Sequence, residues 1–147
     1  MGDYMNNGYD FFTCTVQKCI NKRNHLLKNI AKEFGINAPE AEVILFLSKH
    51  DMSMAAEIVK ECSISKAFVS KLMIGLMAKK LITITKDEND KRCQNIALTE
   101  KAKKIAAELD KECEKFLIGL SAEITDEEKQ VMNAVFKKIE KNLEKLN

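Results

Sequence analysis

Between Ser65 and Leu98 the apolar period of this chain switches from helical to alternating, and few folds accommodate that switch in so short a stretch. Over SKAFVSKLMIGLMAKKL, the residues Val69, Leu72, Met73 and Leu76 fall three and four apart, which predicts one buried helical stripe. The other face carries Lys66, Ala67, Phe68, Ser70, Lys71 and Ile74: small, polar and basic, with one aromatic. After Leu81 the pattern changes. Ile82 and Ile84 alternate with Thr83 and Thr85, and Ile96 and Leu98 answer them across a turn, which predicts two short paired strands. The tip, Lys86-Asp87-Glu88-Asn89-Asp90-Lys91-Arg92, contains no apolar residue and is expected to project into water or onto a partner.

A basic helix followed at once by a ribbon with a basic tip is the layout of a winged helix-turn-helix. The helix enters a DNA major groove, and the ribbon reaches the flanking backbone or minor groove. Charge distribution points the same way. Residues 1–59 carry six basic and seven acidic side chains, residues 60–104 eleven and five, and residues 105–147 seven and ten. The positive excess is concentrated on the proposed reader, as binding to a polyanion requires. The competing reading is a solvated lysine-rich face.

The same stretch resembles the MarR family of bacterial transcription regulators. The matching residues are Ser65 to Leu72 (SKAFVSKL), then Leu81-Ile82, Asp90-Lys91-Arg92 and Ala97-Leu98-Thr99, each at the family's spacing. The resemblance extends from about Phe11 to Leu146. It implies a mainly α (α+β) fold: a winged helix-turn-helix over 37–98 with a two-strand wing, flanked by dimerisation helices over 1–36 and 99–147. It also implies a homodimer reading a palindromic operator in double-stranded DNA, commonly as a repressor released by a small aromatic or anionic effector. Two recognition helices would then lie about 34 Å apart, one DNA turn.

Candidate DNA contacts follow from the residues and from the resemblance together. Lys66, Ser70 and Lys71 are candidates for base and phosphate contacts, with Ala67 and Phe68 near the groove floor, since lysine reads guanine and an apolar group touches a thymine methyl. Ser53 and Ser65 are expected at helix N-termini, where free amides and the dipole favour phosphate. At the wing the resemblance implies that Asp90 pairs with Arg92 and that Arg92 enters the minor groove. A guanidinium held by a carboxylate is aimed in advance at a region of enhanced negative potential. Lys86 and Lys91 are expected to contact phosphates. Three positions depart from the family pattern. Phe68 stands where a small hydroxyl residue is usual, and Lys80 stands where a glycine usually closes the recognition helix. Gly75 lies inside that helix and is expected to weaken it by about 1 kcal/mol relative to Ala. Gly75 and Lys80 together suggest a looser reader.

The rest of the chain reads as helices. The first ten residues are expected to lie outside regular structure, and a helix is expected from about Phe11 to Phe34, closed by Gly35. Asn37-Ala38-Pro39-Glu40 starts the next: an N-cap, a proline in the first turn, and a glutamate at the third position. Its body, Ala41 to Leu47, is apolar enough to be central. Ser53 is expected to cap a short helix from Met54 to about Glu61, and Thr99 to cap a long helix. Thr125-Asp126-Glu127-Glu128 opens the last as a capping box, with Val131, Met132, Val135, Phe136, Ile139, Leu143 and Leu146 as its stripe.

Several classes are disfavoured. No apolar run approaches the roughly 20 residues of a membrane span. Five scattered cysteines, an odd number, fit a reducing cytoplasm better than a disulfide framework. There is no nucleophile–base pair and no phosphate loop, so an enzyme is not expected, nor is a cofactor. His25 and His50 lack metal-type spacing. Two alternatives remain. Cys14 and Cys19 sit where peroxide-sensing relatives carry a reactive cysteine, although Tyr4 and Tyr9, both upstream, leave it without the usual tyrosine support. A winged helix also serves some proteins as a protein-interaction module.

Overall fold

The structure, a computed structural model, describes residues 3–50, 54–62, 64–86 and 94–146, with the side chains of α1 from Thr13 onward. Its elements are α1 (Asp3–Glu33), α2 (Ala38–Ser48), α3 (Ala55–Glu61), α4 (Lys66–Ala78), β1 (Ile82–Lys86), β2 (Gln94–Leu98), α5 (Glu100–Leu120) and α6 (Asp126–Leu143). A winged helix-turn-helix between long helices is the observed fold.

Local chemistry sets most of the boundaries. At α2, the Asn37 side chain accepts from the Glu40 amide while the Glu40 carboxylate accepts from the Asn37 amide, both at 2.9 Å. At α6, Thr125 and Glu128 form the same reciprocal pair. The end of α1 is closed by Gly35 at φ 67°, with the Ile36 amide donating back to the Ala31 carbonyl at 3.0 Å. Two expectations are corrected. α1 begins at Asp3, not near Phe11. Its one glycine, Gly8, weakens the helix by about 1 kcal/mol, but extending an existing helix requires no new nucleus. The cap position of α3 is Met54 rather than Ser53, and its amide donates to the Glu57 carboxylate at 2.7 Å. Glu57 thus supplies the return half of a capping box, and Met54, lacking a side-chain oxygen, makes no cap bond to the first turn. Ser53 itself lies outside the described residues.

The two strands pair antiparallel with Ile82 opposite Leu98 and Ile84 opposite Ile96. Ile82, Ile96 and Leu98 are buried, whereas Thr83 and Thr85 face outward. This alternation fixes the register, because a slip of one residue would turn the isoleucines to solvent.

The chain divides into two compact units, Met1–Glu114 and Lys115–Asn147. The first holds the core. Leu27 and Ala31 of α1, the body of α2, Ile58 of α3, the stripe of α4, Leu81, the inner face of the ribbon and the first half of α5 form one buried cluster. Arg23 of α1 grips Glu42 of α2 through both terminal guanidinium nitrogens, the Nη2 bond measuring 3.1 Å. That hydrogen bond raises the guanidinium pKa above its ordinary value. The second unit comprises the end of α5 and α6, and α6 buries none of its residues. Val131, Val135 and Leu143 are exposed, and so are Val16 and Ile20 on α1.

Candidate nucleic-acid interface

The reader is built around α4. Val69, Leu72, Met73 and Leu76 are buried, as their spacing predicts, which turns the opposite face outward. On that outer face Lys66, Ala67, Phe68, Ser70, Lys71 and Ile74 are all exposed. Phe68, whose aromatic ring is a natural core candidate, keeps 38 % of its surface exposed and sits with the basic residues. The Ser70 hydroxyl donates to the Lys66 carbonyl at 3.1 Å, which holds the side chain against its own helix with its lone pairs outward.

Each end of α4 is fixed. At the N-terminus Ser65 adopts extended backbone and its hydroxyl accepts from the Phe68 amide at 3.2 Å. The remaining first-turn amides have no partner four residues back, so this end attracts anions. At the C-terminus the chain reverses through Lys80, which has φ 58°. The Leu81 amide donates to the Leu76 carbonyl and the Lys80 amide to the Met77 carbonyl, both at 2.9 Å, the Schellman pattern. Thr99 holds this reversal from the other side. Its hydroxyl donates to the Lys80 carbonyl at 3.0 Å while its oxygen accepts from the Ala102 amide at 3.3 Å, so one side chain closes α4 and opens α5.

A third anchor comes from α2. Glu40 is 3 % exposed, and its Oε2 accepts from the Lys79 ammonium at 2.6 Å as well as from the Asn37 amide. Its Oε1 occupies the space above Gly75: a Cβ added there would lie 2.9 Å from it. The expectation that Gly75 loosens the reader is therefore corrected. The missing side chain admits a carboxylate that ties α4 to α2.

The wing continues from the same core. Lys86, at the end of β1, is exposed. Asp90, Lys91 and Arg92 lie outside the described residues, as does Ser53. The described candidates Ser65, Lys66, Ala67, Phe68, Ser70 and Lys71 come together on one helix and its cap.

The other candidate chemistry is dispersed. Cys14 is exposed and Cys19 half-buried on α1, and five residues separate them, about 140° around a helix. Cys62 and Cys113 are half-buried, and burial pushes both thiol pKa values up, away from the reactive thiolate. His25 hydrogen-bonds Asn29 at 3.2 Å, and the His50 ring packs 4.6 Å from that of Phe46. Among the described residues no three histidine, cysteine, aspartate or glutamate side chains are grouped to hold a metal ion, and no helix is long and apolar enough to cross a membrane. A cavity of about 480 Å³ opens between the end of α2, β2 and α5, lined by Leu47, His50, Leu98, Lys103, Ala106 and Asp110 among others. Nothing in the spacing of these residues announces a cavity, because they come from three elements.

Comparison with known proteins places this geometry. Residues 34–92, from just after α1 to just before β2, match the model of the MarR family. The chain is 29 % identical over 126 residues to the transcriptional regulator ZitR of Lactococcus lactis subsp. cremoris (strain MG1363), a match covering 84 % of this chain and 86 % of that one. Among solved structures it is similar to a MarR transcriptional regulator from Methanosarcina mazei Go1, with a TM-score of 0.78, 18 % identity, and 92 % and 98 % of the two chains covered. It is also similar to S. aureus MepR in complex with DNA, with a TM-score of 0.75, 21 % identity, and 91 % and 97 % covered. At these identities the two structures speak to fold, and the family model speaks to the reader segment itself. Over its winged-helix residues the chain is similar to the MarR family of transcriptional regulators, and it shares the fold of that family's solved members.

Proposed function

We propose that this protein is a cytoplasmic, homodimeric, sequence-specific DNA-binding repressor that leaves a palindromic operator when a small ligand binds. One observation carries the reading. α4 presents Lys66, Ala67, Ser70 and Lys71 on a single exposed face, just behind a capped N-terminus, in the most basic third of the chain. That face has the chemistry for groove and phosphate contacts. The MepR structure, which resembles this chain in fold, is a complex with DNA.

Dimerisation is supported by the apolar side chains left exposed on α6, together with Val16 and Ile20 on α1. A second copy that covers them would set two recognition helices on one face of DNA. The cavity beside α5 is the candidate effector site. Its lining combines apolar Leu47, Leu98 and Ala106 with the charged Lys103, whose ammonium bonds Glu100 at 2.7 Å, and Asp110, a setting for a small, partly apolar molecule. In this reading α2, β2 and α5 line the site.

The test is fluorescence-anisotropy binding to the DNA upstream of the protein's own gene, against a scrambled duplex, over a salt series. Tight binding that falls steeply with salt and prefers the upstream duplex supports the reading. Arg92→Ala should then weaken specific binding about tenfold or more without unfolding the chain. Equal affinity for both duplexes would move the target elsewhere in the genome. No binding to either at low salt would favour a protein-interaction module.

A further inference from the structure

We propose that Glu40 is a positioning residue: seated on Gly75 and paired with Lys79, it sets the tilt of the recognition helix against α2 and so governs which DNA sites are accepted. The DNA part of this inference rests on the function proposed above.

The geometry supplies the argument. The carboxylate touches α4 at Gly75 and Lys79, four residues apart and therefore on one row of successive turns. It is itself immobilised on α2 by the Asn37 amide. Apolar contacts between two helices are non-directional and tolerate sliding. A hydrogen-bonded ion pair over a glycine does not, because both the approach distance and the rotation of α4 are constrained. Stability alone is a poor reason to bury the Glu40 carboxylate against a Lys79 side chain that stays 37 % exposed, whereas fixing register is a use for which buried ionic groups are well attested. The contact also has leverage. It grips α4 near Lys79, whereas the reading residues begin at Lys66. At 1.5 Å per residue these ends lie roughly 20 Å apart, so a rotation of about 10° moves the reading end by about 3 Å. In a two-fold dimer such a shift alters the separation of both half-site contacts.

Two variants outside the DNA-contacting face test this. Gly75→Ala places a methyl against Oε1, and Glu40→Gln keeps an acceptor for the Asn37 amide while removing the charge that holds Lys79. Residual dipolar couplings on the full chain report the angle between α2 and α4 with no DNA present. Anisotropy on the upstream and scrambled duplexes reports the specificity ratio. Gly75→Ala is expected to fold with wild-type helix content and to change the angle by several degrees. It should lower the ratio of upstream to scrambled affinity by about tenfold, leaving the scrambled affinity, carried by phosphates, unchanged. Glu40→Gln should change the ratio in the same direction by a smaller factor. A merely structural contact would lower the melting temperature and leave that ratio alone. An unchanged angle in both variants, or a changed angle with an intact ratio, overturns the proposal. A changed angle in a protein whose wild type binds neither duplex upholds the positioning contact and defeats the DNA reading.

Discussion

α4 and α6 are built by the same local rules and meet opposite fates. Each opens on a hydroxyl cap, Ser65 bonding to the Phe68 amide and Thr125 to the Glu128 amide, both at 3.2 Å. Each carries an apolar stripe at helical spacing. Yet α4 buries four residues of its stripe and α6 buries none. Capping and periodicity therefore specify that a helix forms and which face is apolar, while the occupant of that face is a separate question. For α4 the occupant is the chain's own core. For α6 the proposed occupant is a second chain, so its stripe is expected to act on association and the α4 stripe on folding.

The sharpest way to break this contrast is to remove one large side chain from each stripe. Leu76 is fully buried, and Leu76→Ala should destabilise the fold by about 2–5 kcal/mol in urea unfolding, by the same amount at every protein concentration. Phe136 is 40 % exposed in the single chain. Phe136→Asp would place a charge in the proposed dimer contact and should raise the dimer dissociation constant about a hundredfold, roughly 2.7 kcal/mol, in sedimentation equilibrium. Its effect on unfolding should then depend on concentration, as mass action requires of an interface. A Phe136→Asp chain that remains dimeric at nanomolar concentration would remove α6 from the interface. The caps give a smaller, matched pair. Ser65→Ala and Thr125→Ala should each cost about 1 kcal/mol in thermal unfolding, since the same bond is lost from the same helical position.

The contrast also marks what was legible in the sequence. Features carried by local pattern are legible: the Asn37–Glu40 and Thr125–Glu128 boxes and the Ser65 cap within one turn, and the periods of the α4 stripe and of the two strands within one element. Features whose partner is remote are not. Glu40 reads as a capping residue, and nothing nearby in sequence indicates that it also binds Lys79, 39 residues away. Gly75 reads as a weak point in a helix because local propensity counts the missing side chain only as a loss. Its role appears once another element comes to occupy that space. The cap of α3 lies one residue beyond the serine that local preference favours, because the Glu57 carboxylate holds the amide of Met54 at the cap position. The start of α1 is not legible locally, because Gly8 and the polar residues around it read as a break unless the cooperativity of a long helix is counted.

Lys80 gives the smallest effect, and the one of opposite sign. Its φ of 58° places a side chain where L-residues with a Cβ are strained by roughly 1–2 kcal/mol, the carbonyl oxygen that follows being too close. Two backbone bonds of the Schellman pattern and the Thr99 hydroxyl nevertheless hold the reversal in place, so the surroundings dictate the conformation and the side chain tolerates it. Lys80→Gly should remove the strain while adding backbone freedom to the unfolded chain, for a net gain of about 0.5–1 kcal/mol in urea unfolding. A Thr99→Val background sharpens the measurement. Without the hydroxyl the reversal is held by fewer bonds, so Lys80 is freer to relax out of the strained region and the same replacement should stabilise by less. Equal gains in the two backgrounds would show that the backbone bonds alone impose the turn, leaving Thr99 the single task of opening α5.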